Sequence, residues 1–374
     1  MQLGYATTFQ NPGRRRPDRD VWDDEVALSE LAIKVGFNSI WSTEHHFTDY
    51  EMIPNPLQFL SFMAGRAPTA RLGTMVVVLP WHDPIRVASE VAVLDNLCAG
   101  RFILGIGRGL AAVEFDAWNI DMSDTRDMFN QAAEIVLNAL ENGFIEANTA
   151  HYKIPRRDIR PEPIYSFKGR TYGAGGSTAS MPIMARLGAG LLLVPVNDWK
   201  QVESDLALYK KSWEEFHPGR PRPKPLLDQF IYCDTDRARA EDTALKHLEV
   251  YLSMVLDHYN LAGAHFEKIK GYEQYASTMS KAAADAKGMI ATFAKQQAWG
   301  TPDEVIAKLQ DGRARTDPSS VLAHFCFGGM PRATAEASIK LFGERVAPVV
   351  RAWEPDPFAN LTPLPSRAKE IGRA

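Results

Sequence analysis

The feature that most constrains this chain is a set of short, almost wholly apolar runs set at intervals between longer stretches of helical period. Met75-Val76-Val77-Val78-Leu79 is the clearest of them. A run with no polar residue on either face suits a strand covered on both sides, as in parallel sheets flanked by helices. Strand-like runs fall at 3–9, 39–42, 72–79, 102–106, 171–174, 191–194, 229–233 and 320–327. Helical patterns lie between them, among others at 21–35, 85–97, 122–140, 178–187, 199–216 and 236–259. Eight strands alternating with helices predict a parallel α/β barrel of the (β/α)8, or TIM, type rather than an open doubly wound sheet.

The 374 residues are many for one domain. Barrels reach this size when their loops are enlarged, so a single domain over 1–374 is expected. Two stretches break the rhythm. Residues 142–169 carry Pro155, Pro161 and Pro163 without a clear period, and read as an extended insertion. Residues 260–298 mix Gly, Ala, Lys and Tyr before the helix start at Gly300-Thr301-Pro302. Insertions at the C-terminal face of a barrel serve as lids that keep water from reacting groups, and 260–298 is the candidate lid here.

A formal net charge of −4 gives no reason to expect nucleic acid or an anionic membrane as partner. The tract Arg14-Arg15-Arg16 is soon offset by Asp18, Asp20, Asp23 and Asp24. No run approaches the ~20 apolar residues of a membrane helix, and the N-terminus lacks a basic segment leading into an apolar one. Cys98, Cys233 and Cys326 are widely spaced and read as reduced structural thiols. A cytoplasmic protein is expected.

Three stretches carry candidate chemistry. Trp41-Ser42-Thr43-Glu44-His45-His46-Phe47 closes the second strand, where a barrel places catalytic side chains. Its histidines can exchange protons near neutral pH, and one of the two is expected to face the mouth. A zinc site would need a third ligand that the sequence does not identify, so no metal is expected. Gly105-Ile106-Gly107-Arg108-Gly109-Leu110 closes the fourth strand. It is not a dinucleotide fingerprint, because Leu110 stands where the third glycine belongs. Its glycines would still admit a flat ring or a phosphate close to the backbone, with Arg108 as an anion contact. Gly173-Ala174-Gly175-Gly176-Ser177-Thr178-Ala179-Ser180 ends the fifth strand and opens a helix. Free N–H groups and hydroxyls there suit a phosphate, although locally a plain helix cap is the more common explanation of such residues.

The order of these motifs is similar to that of the bacterial luciferase-like flavin-dependent monooxygenases. The likeness runs through Trp-x-x-Glu-His-His-Phe, Leu72-Gly73-Thr74, Val78-Leu79-Pro80, Leu94-Asp95, Gly100-Arg101-Phe102 and Gly105 to Leu110. It continues with Ala185-Arg186-Leu187-Gly188, Gly300-Thr301-Pro302, Gly328-Gly329-Met330, Leu341-Phe342-Gly343 and Val346-Ala347-Pro348. The resemblance implies a cofactor, FMN taken as FMNH2, and O2 activated as a flavin C4a-peroxide that oxygenates a small, apolar organic substrate. It implies His45 as the catalytic group at the flavin edge, with Glu44 and His46 supporting it. Arg108, Arg126, Ser177 and Ser180, with Gly175 and Gly176, would hold the phosphate. Met75-Val76 would form a non-prolyl cis bond under the flavin ring beside Gly107, and Glu114 would be the acid near it. Trp81, Phe47 and Phe9 are the candidate substrate wall.

Two departures argue against a light-emitting enzyme. Gly107 stands in place of a reactive cysteine, and Gly176 in place of an acidic residue. The resemblance also implies a separate NAD(P)H:flavin reductase as partner and a homodimer. Two other readings remain at this stage: an oxidoreductase using the deazaflavin F420, and a non-catalytic flavin-binding subunit.

Overall fold

A computed structural model of the chain describes residues 1–195, 198–260, 272 and 286–364. Eight parallel strands close into a barrel: β1 (Gln2–Ala6), β2 (Ser39–Ser42), β3 (Arg71–Thr74), β4 (Phe102–Gly107), β5 (Thr171–Ala174), β6 (Gly190–Leu193), β7 (Leu226–Cys233) and β8 (Ser320–His324). Each pairs with the next in sequence, and β8 pairs with β1 in the register Gln2↔Ser320 to Tyr5↔Ala323. The third run, continuous in sequence, is split: Val77–Val78 pairs separately with β4, and a cis peptide joins Met75 to Val76.

The helices that cover the barrel are α1 (Asp18–Lys34), α2 (Pro56–Arg66), α3 (Pro84–Leu97), α4 (Thr125–Asn142), α5 (Ser180–Leu187), α6 (Trp199–Phe216), α7 (Pro302–Thr316) and α8 (Arg332–Arg345). Their starts follow local chemistry. Asn55 and Asp83 accept from the N–H groups of Gln58 and Ile85, each followed by proline at the first helical position. Thr301 and Glu304 form a capping box around Pro302. Gly143 and Gly188 end α4 and α5 with φ of 68° and 70°, in the left-handed region that glycine enters without steric cost.

The barrel interior is filled by side chains. Trp41 crosses it, and a Cβ on Gly4 or Gly73 would lie 2.6 or 2.3 Å from its indole, so both positions need glycine. Phe358, from the chain end, closes the bottom with Tyr172, while Arg71 at the start of β3 donates to its carbonyl. Beside it Arg170 and Asp95 form a fully buried ion pair at 2.5 Å. The Arg170 guanidinium also donates to the carbonyls of Phe102 and Ser166.

The insertions are placed by the direction of the chain. Residues 142–169 include an antiparallel hairpin of Phe144–Asn148 with Lys153–Asp158. Because they follow a helix and lead into the start of β5, they lie at the N-terminal end of the barrel and not at its catalytic face. The enlargement at the C-terminal face follows β7. It begins with a helix, Arg237–His258, which the sequence periodicity assigns to the seventh βα unit. The helix that returns to the barrel wall is instead α7, packed against β7, α6 and α8. Of the candidate lid 260–298, residues 261–271 and 273–285 lie outside the described residues. No helix among the described residues is long and apolar enough to cross a membrane.

Candidate active site

The C-terminal ends of β2, β3, β4 and β5 surround a cavity lined by Glu44, His45, Met75, Val76, Val78, Trp81, Gly107, Arg108, Gly109, Leu110, Glu114, Ala174, Gly176, Ser180 and Tyr259. The chain leaves β2 extended and is pinned by the His45 N–H donating to Ile53 O at 3.1 Å. Alternation along this segment sends the two neighbouring histidines to different partners. His45 turns towards Glu114 and Tyr259. His46 packs edge-on against Trp81 and Trp118.

Glu114, on the short helix Ala112–Ala117, is the hub of this wall. Its carboxylate is fully buried. One oxygen accepts from the His46 backbone N–H at 2.8 Å and lies 3.2 Å from His45 Nδ1. His258 Nε2 lies 3.5 Å from the same oxygen. Burial by itself would raise the Glu114 carboxyl, but the charge of His45 and the bonds from His258 and His45 outweigh it and hold the group down at about 2. Burial lowers His45, and Glu114 more than reverses this, so the imidazole titrates above its ordinary value. The other ring nitrogen of His45 lies 3.3 Å from the Tyr259 hydroxyl. His258 titrates below its ordinary value because burial prevails there, and its Nδ1 lies 2.7 Å from Thr48 Oγ1.

Glu44 is buried on the opposite side of His46. It accepts from the Val78 N–H at 2.7 Å and lies 2.5 Å from His82 Nε2 and 3.5 Å from His46 Nε2. Burial pushes its carboxyl up, yet these hydrogen bonds bring it below the usual range. Glu44 therefore acts as a brace, tying the end of β2 to the chain after the cis bond. His82 is held above its ordinary value in spite of burial, through its bond to Glu44.

The floor is built for close approach. A Cβ on Gly107 would fall 2.3 Å from Val76 Cγ2, which accounts for glycine where the resemblance leads one to look for a cysteine. On the β5 side Ser177 and Ser180 place their hydroxyls 2.8 Å apart at the start of α5, and Ser177 is buried. The loop between them and β5 is fixed by the Gly175 N–H donating to Leu192 O. Arg108 lies over the Tyr272 ring at 3.8 Å, and the Tyr272 hydroxyl lies 3.0 Å from Thr125 Oγ1. Tyr272, from the candidate lid segment, thus reaches the β4 side of the site.

Not every candidate converges here. Arg126 sits on the first turn of α4 and is not among the cavity-lining residues. Phe9 is buried between Trp22 and Phe59 under the helices, with ring centroids at 4.4 and 5.1 Å. Phe47 stands on the rim, 57% exposed, against His46 and Trp118. Trp81 does line the cavity, packed on His46 and Phe115. Sequence reasoning missed His258 and Tyr259, which the end of the Arg237–His258 helix delivers to either side of His45. Two titratable residues closing a helical period were the only signal. Donor atoms of His45, Glu114 and His258 lie within 4.8 Å of one another, which supplies the third ligand that the sequence did not identify. The imidazoles are already placed against Glu114, Thr48 and Tyr259, an arrangement that handles protons without an ion.

Comparison with known proteins agrees with this geometry. The model of a family described as luciferase-like monooxygenase matches residues 1–317. The alkanal monooxygenase alpha chain of Photorhabdus luminescens is 25% identical over 362 residues, 94% of this chain and 98% of that one. Among solved structures, monooxygenase RslO1 from Streptomyces bottropensis superposes with a TM-score of 0.76 at 24% identity, over 94% of this chain and 100% of that one. The oxygenating constituent of 3,6-diketocamphane monooxygenase from Pseudomonas putida, a type II Baeyer–Villiger enzyme in complex with FMN, gives 0.72 at 18% identity, over 93% and 98%.

Proposed function

This chain belongs to the luciferase-like monooxygenase family, and from that premise we propose that it is the oxygenase of a two-component system. It takes FMNH2 from a separate NAD(P)H:flavin reductase and uses O2 to oxygenate a small, mainly apolar organic substrate. The observation that carries the reading is one cavity lined both by His45, Glu114 and Tyr259 and by Gly176 and Ser180, with the buried Ser177 hydroxyl against that of Ser180.

The residues present fit a flavin phosphate and ring. The Ser177 and Ser180 hydroxyls, with the N–H groups that open α5, would take the phosphate, and Arg108 would add charge. The ring would lie on Met75–Val76 and Gly107, where the absence of a Cβ gives it room. Bound reduced flavin supplies the electrons that activate O2, so that one oxygen atom enters the substrate and the other leaves as water. The protein's share is protonic and steric. Glu114 raises His45 above its ordinary value, which favours the protonated ring, with Nδ1 against that carboxylate and Nε2 beside the Tyr259 hydroxyl. The Nε2 proton is the one available to an oxygen atom in the cavity. Trp81, Leu110 and Tyr259 narrow the space and limit water, which would otherwise divert the reaction. Glu44 positions His46 and the Val78 backbone.

The lack of a dinucleotide fingerprint and the role of the Pseudomonas protein as the oxygenating constituent of its system support delivery of reduced flavin by a partner. Homodimer formation is part of the same reading. Phe62, Ile85, Val93 and Leu97 on α2 and α3 are 41 to 59% exposed, an apolar face suited to a second copy. Anaerobic titration tests the cofactor assignment. FMNH2 should bind more tightly than reduced riboflavin, and the difference should vanish in Ser177→Ala/Ser180→Ala. Preferential binding of F420, with substrate-dependent hydride transfer and no oxygen uptake, would replace this reading.

A further inference from the structure

The Arg14–Arg16 tract takes no part in the site described above, and it borders a second cavity. This cavity, of ≈ 230 Å³, shares no lining residue with the first. It lies at the C-terminal ends of β8 and β1, between the loop after β1, the start of α1, the middle of the Arg237–His258 helix and the Gly328–Gly329–Met330 loop. In barrels generally, the loops after the last strands are a favoured seat for phosphate groups.

Its polar groups are unevenly committed. Asp24 is engaged by Arg16 at 2.6 Å and by Arg332 at 3.4 Å. Glu25 accepts from the Tyr5 and Thr8 hydroxyls at 2.9 and 3.2 Å. The acids of the wall are thus taken up internally. The donors are not. Among the described residues, Arg15 and Lys246 have no carboxylate within ion-pair reach. Gln10 is 93% buried, since only 7% of it is exposed. Its Oε1 accepts from the Gly328 N–H at 2.7 Å, which fixes the amide and leaves Nε2 buried without an acceptor. A buried amide N–H with no acceptor is unfavourable, and an oxyanion seated beside Gln10 would offer one after a small shift of the side chain. Val21, Val250 and Met330 make the rest of the wall apolar.

We infer that this cavity is a binding site for a small organic oxyanion, a carboxylate or phosphate on a short apolar body, held by Gln10, Arg15 and Lys246. The site is built on the helix whose far end carries His258.

The test uses the full chain with Ser177→Ala and Ser180→Ala, which disables the other anion seat and makes the result independent of the flavin reading. Isothermal titration with inorganic phosphate, and separately with butyrate, at constant ionic strength should show one saturable site. Adding Gln10→Glu keeps the acceptor for Gly328 and places a second negative charge in the cavity. It should weaken binding at least ~10-fold, about 1.4 kcal/mol. Lys246→Ala should weaken it in the same direction, with unfolding temperatures unchanged. Saturation by phosphate alone or by butyrate alone would assign the head group. Absence of saturable binding to either, or affinities unmoved by both substitutions, would overturn the inference.

Discussion

Replacing Glu114 with Gln keeps the shape of the hub and removes its charge, and the consequences can be worked out from its neighbours. The carboxylate is fully buried, 3.2 Å from His45 Nδ1 and 2.8 Å from the His46 N–H. Its displacement from the usual 4.5 to about 2 corresponds to about 3 kcal/mol of stability at neutral pH. The raised value of His45 is the same interaction seen from the other end, so it is counted once. Glu114 titrates below its unfolded value, so its contribution is complete above pH ~4.5 and is lost as pH falls towards 2. His45 titrates above its unfolded value, so its share is present at and below ordinary imidazole pH and fades as pH rises through the folded value. In Glu114→Gln the largest influence raising His45 is lost, leaving the weaker charges of Glu51 and Glu44 against burial, so its titration shifts down. The expected results are a loss of roughly 1–3 kcal/mol in urea unfolding at pH 7 and a fall of ~10²-fold or more in turnover. The alkaline limb of the activity profile should move to lower pH. His45 titration followed by NMR gives the direct readout. A variant that kept the wild-type limb, with His45 titrating as in the wild type, would refute the assignment of Glu114 as the group that raises it.

Other residues give sharper yes-or-no outcomes. Gly107→Ala brings a methyl within 2.3 Å of Val76 Cγ2, and should cost ~1–3 kcal/mol in chemical denaturation together with most flavin affinity. Arg170→Met leaves Asp95 as an unpaired buried charge and should cost ~3–5 kcal/mol in unfolding while barely altering flavin binding, because the pair lies at the far end of the barrel. Leu97→Glu, on the exposed face of α3, should shift the chain to a monomer in light scattering if that face joins two copies. Tyr259→Phe removes the hydroxyl beside His45 and should slow turnover without moving unfolding by more than ~1 kcal/mol.

The sequence made the barrel legible because its strands announce themselves: Val76 to Leu79 or Ile103 to Ile106 cannot be left facing water. It read less well where neighbours in space, not in sequence, decide the outcome. The cis bond interrupts what looks like one strand, and the Ala298–Gly300 strand that pairs with the end of β7 is too short to carry a period. The helix Arg237–His258 has the pattern of a wall helix and does pack on β7; the helix that leads into β8 is α7, which periodicity alone does not distinguish from it. In the site, Glu44, His45 and the glycines are contiguous with strand ends and were visible. His258 and Tyr259 were not, because they approach from more than 200 positions away along the chain, at |i−j| = 210 for Thr48–His258 and 214 for His45–Tyr259. Phe9 shows the opposite failure: an aromatic at a strand end that packs into the core.

The central claim is that this cavity holds reduced FMN and that His45 governs its reaction with oxygen. The direct measurement is rapid mixing of the anaerobic FMNH2-loaded chain with O2, following the return of the oxidised-flavin band in wild type and His45→Ala. Wild type should delay that return well beyond free FMNH2, with little hydrogen peroxide released, and His45→Ala should shorten the delay and release peroxide. Return at the rate of free flavin in the wild-type chain, with peroxide formed in full, would contradict it.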